Sequence, residues 1–381
     1  MPRAVVVGLV VALAVTAVRA QVVRPILLFP TEYASSVAVD QAGNVVYATT
    51  STNQFGSNPA YRKQIVRWDA VTGIGTPVTN YEEGVESVSV SNDASWIAFV
   101  SAADPLGTNP DENPELYVMR PDGTGLVQLT SVGLYEEIRA AVISGSGARI
   151  AFIGNINPLG TNPTYANALF VIDRNGSNLR QLATGVRVGD PYGNMPGTVD
   201  QALPQLGISD DGSKVAYTKS SPSQFAGINA DGTGDHALSS GSTPAGIVIS
   251  GNGATVVTTT GSPLAYSITT RSFDGNPGTI VSIGAGDLPW ITDDASTVYY
   301  YRSGTLAGIW KIAAGGGTPT LVKTGFRPLG VSGNGGRLVT YGTLELVAID
   351  GTGGSLRQLT TTAHREYVDL KRMASDGNDA Q

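Results

Sequence analysis

The residues able to do chemistry are few, and most of them fall in loop-like stretches. Asp104, Asn109, Asp111 and Asn113 place four oxygen-bearing side chains within ten residues, a hard donor set of the kind Ca²⁺ takes. The segment Asp104-Pro105-Leu106-Gly107-Thr108-Asn109-Pro110 has two sisters, Gln54-Phe55-Gly56-Ser57-Asn58-Pro59 and Asn157-Pro158-Leu159-Gly160-Thr161-Asn162-Pro163. One reading is a recurrent ligand or calcium site, with Asp104 and Asp111 as the leading metal ligands. The other is a structural loop in which Pro and Gly set turns and Asn bonds the backbone. The spacing is not that of an EF-hand. Glu136, Glu137, Asp190 and Asp200 are acids that a fold could gather, and glycoside hydrolysis needs two carboxyl groups about 5–10 Å apart. Solvated loop acids are the plainer alternative. Trp290, in Leu288-Pro289-Trp290-Ile291, could stack on a sugar ring or simply pack against its neighbours.

Composition removes other chemistries. Of 381 residues none is Cys and only 2 are His, which rules out disulfides, thiolate sites and a three-histidine metal centre. With 24 Lys and Arg against 31 Asp and Glu, there is no electrostatic footprint for nucleic acid. The 48 Gly and the 14% of charged residues describe a chain of many tight turns and few surface helices. No Gly-x-Ser-x-Gly elbow, P-loop or dinucleotide fingerprint sits in a strand-to-helix context. His236 and His364 read as isolated surface residues near strand ends.

Residues 1–20 read as a signal peptide: Ala4 to Val18 is uncharged, flanked by Arg3 and Arg19, and shorter than the ~20 residues that span a bilayer. Val18 and Ala20 suit the cleavage site, so the mature chain is expected to start at Gln21. The alternative is a retained anchor. No later segment is apolar enough to cross a membrane. Export without cysteine suits a bacterial periplasmic or secreted protein.

A repeat covers the remainder. Val90-Ser91-Asn92-Asp93-Ala94-Ser95-Trp96-Ile97-Ala98-Phe99 returns from Ile143 to Phe152 and, in its fullest form, from Ile208 to Tyr217. Weaker copies begin at Ser250, Thr292 and Ser332, and a short one runs from Val39 to Tyr47. Each copy predicts a strand, a tight turn and a strand. A second hairpin follows, best seen in Glu115-Leu116-Tyr117-Val118-Met119-Arg120-Pro121-Asp122-Gly123-Thr124 and continuing to Thr130. Four antiparallel strands per repeat make one propeller blade, so the chain is read as an all-β propeller. Seven blades are expected from seven copies, with six or eight as alternatives.

This pattern resembles the TolB-type, WD-like β-propeller repeat of bacterial envelope proteins, over roughly residues 33 to 360. The chain departs from that family in two ways. A separate α/β domain is not expected before the first copy, and TolB itself has six blades, so its partners are not carried over. Residues 21–371 are taken as one propeller and 372–381 as a frayed tail. Ile26 to Pro30 and Tyr367 to Leu370 read as strands from the two ends that close the ring in one shared blade.

Loop lengths set the functional expectation. Insertions fall at Ser51 to Lys63, Ala102 to Pro114, Gly154 to Asn167 and Gly185 to Pro204, all between second and third strands or between blades. They therefore share one face, where binding residues concentrate. Asp104, Asn109, Asp111, Asn113, Glu136, Glu137, Asn157, Asn162, Asp190, Asp200 and Trp290 are the candidate binding residues. The expected role is a monomeric, exported, non-catalytic scaffold for a protein or cell-envelope component. The alternatives are a carbohydrate-active enzyme with carboxylates at the channel mouth, and a calcium-stabilised structural module.

Overall fold

The Ser-x-Asx-Gly stretch turns sharply because its own side chains replace water as hydrogen-bond partners. In a computed structural model that describes residues 36–51, 53–188, 204–239, 244–261, 265–274, 281–341 and 346–359, Ser91 Oγ donates to Asp93 Oδ1 (2.7 Å) and accepts the Trp96 N–H (3.1 Å). Ser209 with Asp211, Ser250 with Asn252, Thr292 with Asp294 and Ser332 with Asn334 repeat the first bond. In the shortened first copy Asp40 Oδ1 takes the Val45 N–H itself, at 2.8 Å. Three residues after each of these anchors, and after Ser144 in the third copy, the backbone is left-handed: Gly43, Ala94, Gly147, Gly212, Gly253, Ala295 and Gly335. Glycine fills five of the seven because it adopts positive φ without steric cost.

The hairpins assemble into seven four-stranded antiparallel sheets, each drawn from consecutive strands. The strands are β1 (Ser36–Val39), β2 (Val45–Thr50), β3 (Gln64–Asp69), β4 (Gly75–Pro77); β5 (Ser87–Val90), β6 (Ile97–Ser101), β7 (Glu115–Met119), β8 (Val127–Gln128); β9 (Ile138–Ile143), β10 (Arg149–Gly154), β11 (Ala168–Asp173), β12 (Arg180–Thr184); β13 (Leu206–Ile208), β14 (Lys214–Ser220), β15 (Ser223–Asn229), β16 (His236–Ala237); β17 (Pro244–Ile249), β18 (Thr255–Thr260), β19 (Ser267–Ser272), β20 (Val281–Ala285); β21 (Asp287–Ile291), β22 (Thr297–Arg302), β23 (Gly308–Ala313), β24 (Thr320–Thr324); and β25 (Arg327–Val331), β26 (Arg337–Tyr341), β27 (Leu346–Asp350), β28 (Leu356–Gln358). The protein is thus a seven-bladed β-propeller, with no helix among the described residues. The first strand of each blade touches that of the next, and β25 meets β1.

Middle strands such as β6 and β7 are buried along their whole length, because a neighbouring blade covers each face. They read as continuous apolar runs for that reason, without the alternation of a one-sided sheet. One apolar cluster fills the seam between blades 2 and 3, with Phe152 stacked on Phe170. Another joins blade 7 to blade 1 through Trp68, Leu329, Val339 and Leu346. Blades 1 and 7 each complete four strands from their own stretch of chain, which corrects the expected shared closing blade. The stretches proposed for that closure, 26–30 and 367–370, lie outside the described residues, as do the leader and the tail.

Candidate functional site: a loop-bearing face and a polar ring

Loop length divides the two faces. The segments between second and third strands are 13 residues long in blades 1, 2 and 3, but 2, 6, 5 and 4 residues in blades 4 to 7. The turns on the other face stay between 5 and 8 residues throughout.

The three long loops share one internal construction of hydrogen bonds. Asp104 Oδ1 accepts the N–H groups of Thr108 (2.6 Å) and Asn109 (2.8 Å). Asn157 Oδ1 takes the Asn162 N–H at 2.7 Å, and Asn53 Oδ1 the Asn58 N–H at 2.7 Å. Buried Asn109 and Asn162 then donate to loop carbonyls: Asn109 to Ala102 and Asn113, Asn162 to Ile156 and Ala166. These residues hold the loop's shape. Among the described residues no group of three or more His, Cys, Asp or Glu is arranged to hold a metal ion.

What the loops present outward is apolar. Phe55, Leu106 and Leu159 occupy the same loop position and are 37%, 45% and 44% exposed. Between the loops of blades 2 and 3, Leu134 and Tyr135 stand 67% and 86% exposed. Asn113 Nδ2 ties the Asp111 carboxylate (2.9 Å) to the Gly133 carbonyl (2.8 Å). Glu136 accepts from the N–H groups of Gly133 (2.7 Å) and Asn157 (3.3 Å), and Glu137 is ion-paired with Arg139. Glu86, one blade back, is raised above the usual carboxylate range by burial, with Glu137 adding to the rise and Lys63 opposing it.

The remaining expected residues separate. Trp290 is half-buried in the seam between blades 6 and 7, packed against the cluster that contains Tyr299 and Leu338. His236 is not a free surface residue: its Nε2 lies 2.5 Å from the Phe273 carbonyl and its ring meets Phe273 edge-on, in the seam between blades 4 and 5. Asp190, Asp200 and His364 lie outside the described residues.

At the short-turn face the structure assembles a site that motif reading passed over. Backbone hydrogen bonds run Gln41 N–H to Asn92 O (2.9 Å), Asn92 to Gly145 (2.8 Å), Ser146 to Asp210 (2.8 Å), Asp210 to Gly251 (2.7 Å), Asn252 to Asp293 (2.8 Å), Asp293 to Gly333 (2.8 Å) and Asn334 back to Gln41 (3.1 Å). Seven bonds close a ring through all seven blades. Its side chains are Gln41, Asn92, Asp210 and Asp293, and glycine stands at the other three places. Asn92 Nδ2 reaches Asp293 Oδ2 at 3.5 Å and also faces Asp210. Burial, then the Asp210 charge, pushes Asp293 up to about 6, with Gln41 opposing. Burial raises Asp210 as well. The signal was available: the residue after the Ser, Thr or Asp anchor reads Gln, Asn, Gly, Asp, Gly, Asp, Gly down the seven copies.

Glu115 is a further buried carboxylate, raised by burial, but its role is structural. It accepts from Thr130 and from the Val132 N–H (2.6 Å), as Gln64 does from Thr79 (2.8 Å) and Tyr81 (2.9 Å) at the same place in blade 1. An uncharged amide serves equally there.

No protein-family profile matches the chain, and no curated protein matches its sequence. Solved structures do resemble its fold. A puromycin hydrolase S511A mutant complexed with PGG superposes with TM-score 0.58 at 13% identity, over 87% of this chain and 53% of that one, so the match spans about half of the hydrolase. The β-propeller domain of the Trilobed protease from Pyrococcus furiosus gives 0.56 at 12% identity, over 87% of this chain and 96% of that domain. TolB from Acinetobacter baumannii is also among the neighbours, with TM-score 0.42 and 18% identity over 63% of this chain and 52% of TolB.

Proposed function

We propose that this propeller is an exported, non-catalytic scaffold that binds a protein partner through the long-loop sector of blades 1 to 3. One observation carries the reading: three loops of equal length, each braced by its own hydrogen bonds, hold Phe55, Leu106 and Leu159 out to solvent at equivalent positions. Apolar side chains on braced loops lose little conformational entropy when a partner covers them. Among the described residues, the candidate carboxylates Glu136 and Glu137 of the same face are engaged in a turn and an ion pair, which suits support better than acid–base chemistry.

The test is capture of one identified partner from the native envelope by the mature chain, compared with the triple variant Phe55→Ser, Leu106→Ser, Leu159→Ser. Capture should be lost while the melting temperature stays close to wild type. Unchanged capture overturns the reading. Turnover of any polysaccharide in a glycan panel would move the protein to the carbohydrate-enzyme class.

A further inference from the structure

Residues 133–136 form a turn that is unusual in what it displays. The Glu136 N–H closes it on the Gly133 carbonyl at 2.9 Å, and Tyr135 at its third position has φ +73°. A turn of this kind ordinarily requires glycine there. The sister loop between blades 1 and 2 has the same length, nine residues, and at the same distance from its inner strand it does carry glycine, Gly84 at φ +78°. Tyrosine in the left-handed region is strained, and an 86% exposed ring recovers nothing by packing.

The turn is also clamped from both sides. Asn113 of the blade 2 loop donates to the Gly133 carbonyl (2.8 Å), and Asn155 of the blade 3 loop donates to the Tyr135 carbonyl (3.0 Å). Asn155 Oδ1 takes the Glu137 N–H as well, at 3.0 Å. Leu134 and Tyr135 therefore project from a fixed base. Around that base stand Asp111, Glu136 and Glu137, and the cation paired there is Arg139, held by Glu137.

We propose that the Leu134–Tyr135 turn is the anchor of the partner interface, and that the partner is a protein presenting an apolar socket rimmed by lysine or arginine. The proposal rests on the reading that the long-loop face binds protein, and it names both the centre of that face and the chemistry of its partner. Rigid tyrosine is among the residues that dominate interface energies. The acidic surround selects a basic rim by charge complementarity, and it disfavours an anionic lipid surface.

The experiment selects peptides from a displayed random library on the immobilised full chain, then measures the enriched synthetic peptides by fluorescence anisotropy. Enriched peptides should be basic with an aromatic or aliphatic residue, and should bind more weakly at high salt. Tyr135→Gly, which reproduces the sister loop, should weaken them about tenfold or more with an unchanged or higher melting temperature. Leu306→Ser, an exposed leucine on the loop between β22 and β23, should have no effect. Peptides that are neutral or acidic, or that bind Tyr135→Gly as well as wild type, overturn the proposal. Tyr135-dependent binding to vesicles containing anionic phosphatidylglycerol overturns it too, as does failure to enrich any peptide. Peptides that depend on Phe55, Leu106 or Leu159 but not on Tyr135 would sink the anchor while leaving the broader reading intact.

Discussion

Asp210 and Asp293 approach each other across Gly251: a methyl group there would lie 2.3 Å from Asp210 Oδ2 and 2.6 Å from Asp293 Cβ. They come from blades 4 and 6, and the residue between them lacks a side chain. The same economy holds at Gly333, where a methyl would strike Asp293 Oδ2 at 1.8 Å. The ring therefore accommodates two carboxylates because three of its members are glycine.

Stability should fall as pH rises across this pair. Asp293 titrates at about 6 in the folded chain against 3.8 ordinarily, so the folded state holds its proton more tightly. Its contribution is complete below pH ~4 and is lost as pH climbs through ~6. Asp293→Asn should raise the melting temperature at pH 7.5 and flatten the decline between pH 4 and 7. Asp122, Asp231 and Asp350, lowered by their turn hydrogen bonds, act in the opposite sense but only as pH falls below the usual carboxylate range. An Asp293→Asn profile parallel to wild type would remove the pair from the pH response.

Gly333→Ala should cost about 1–3 kcal/mol, since the added methyl has no room without moving Asp293. Combined with Asp293→Ala, much of that cost should disappear, giving a coupling of about 1 kcal/mol or more in a double-mutant cycle. Additive costs in urea unfolding would show that the two positions do not press on each other.

Closure of the ring should depend on the apolar seam between blades 7 and 1. Trp68 is fully buried in it, and Trp68→Ala should cost about 3–5 kcal/mol. Urea denaturation followed by far-ultraviolet circular dichroism measures this. A loss below about 1 kcal/mol would mean that the seam is not what holds the ring shut.

Asp104 should behave as a turn-former. Asp104→Asn should be nearly neutral, because Asn53 and Asn157 do the same work in the sister loops. Asp104→Ala, which loses two backbone partners, should cost about 1–2 kcal/mol. EDTA should leave the melting temperature of all three proteins unchanged. A drop with EDTA would instead restore the calcium reading, since a native-state ligand stabilises by mass action.

Much of this protein was legible in its sequence. The anchor, Asx and left-handed residues lie within four positions of one another, so Ser209, Asp211 and Gly212 announce their turn without help from distant chain. Burial on both faces marks the middle strands, as in Ile97–Ser101. The loop asymmetry followed from counting residues between turns. These are local or periodic properties, and sequence order preserves them.

Which distant residues meet is a property of the closed ring. Asn92 and Asp293 are 201 residues apart and meet because the seven-blade ring brings their turns to one axis. The strained Tyr135 looks in the sequence like any loop tyrosine; its left-handed backbone is imposed by clamps from Asn113 and Asn155 on two different blades. Local hydrogen bonding wrote the turns into the sequence, while convergence and strain depend on which distant residues the closed ring makes neighbours.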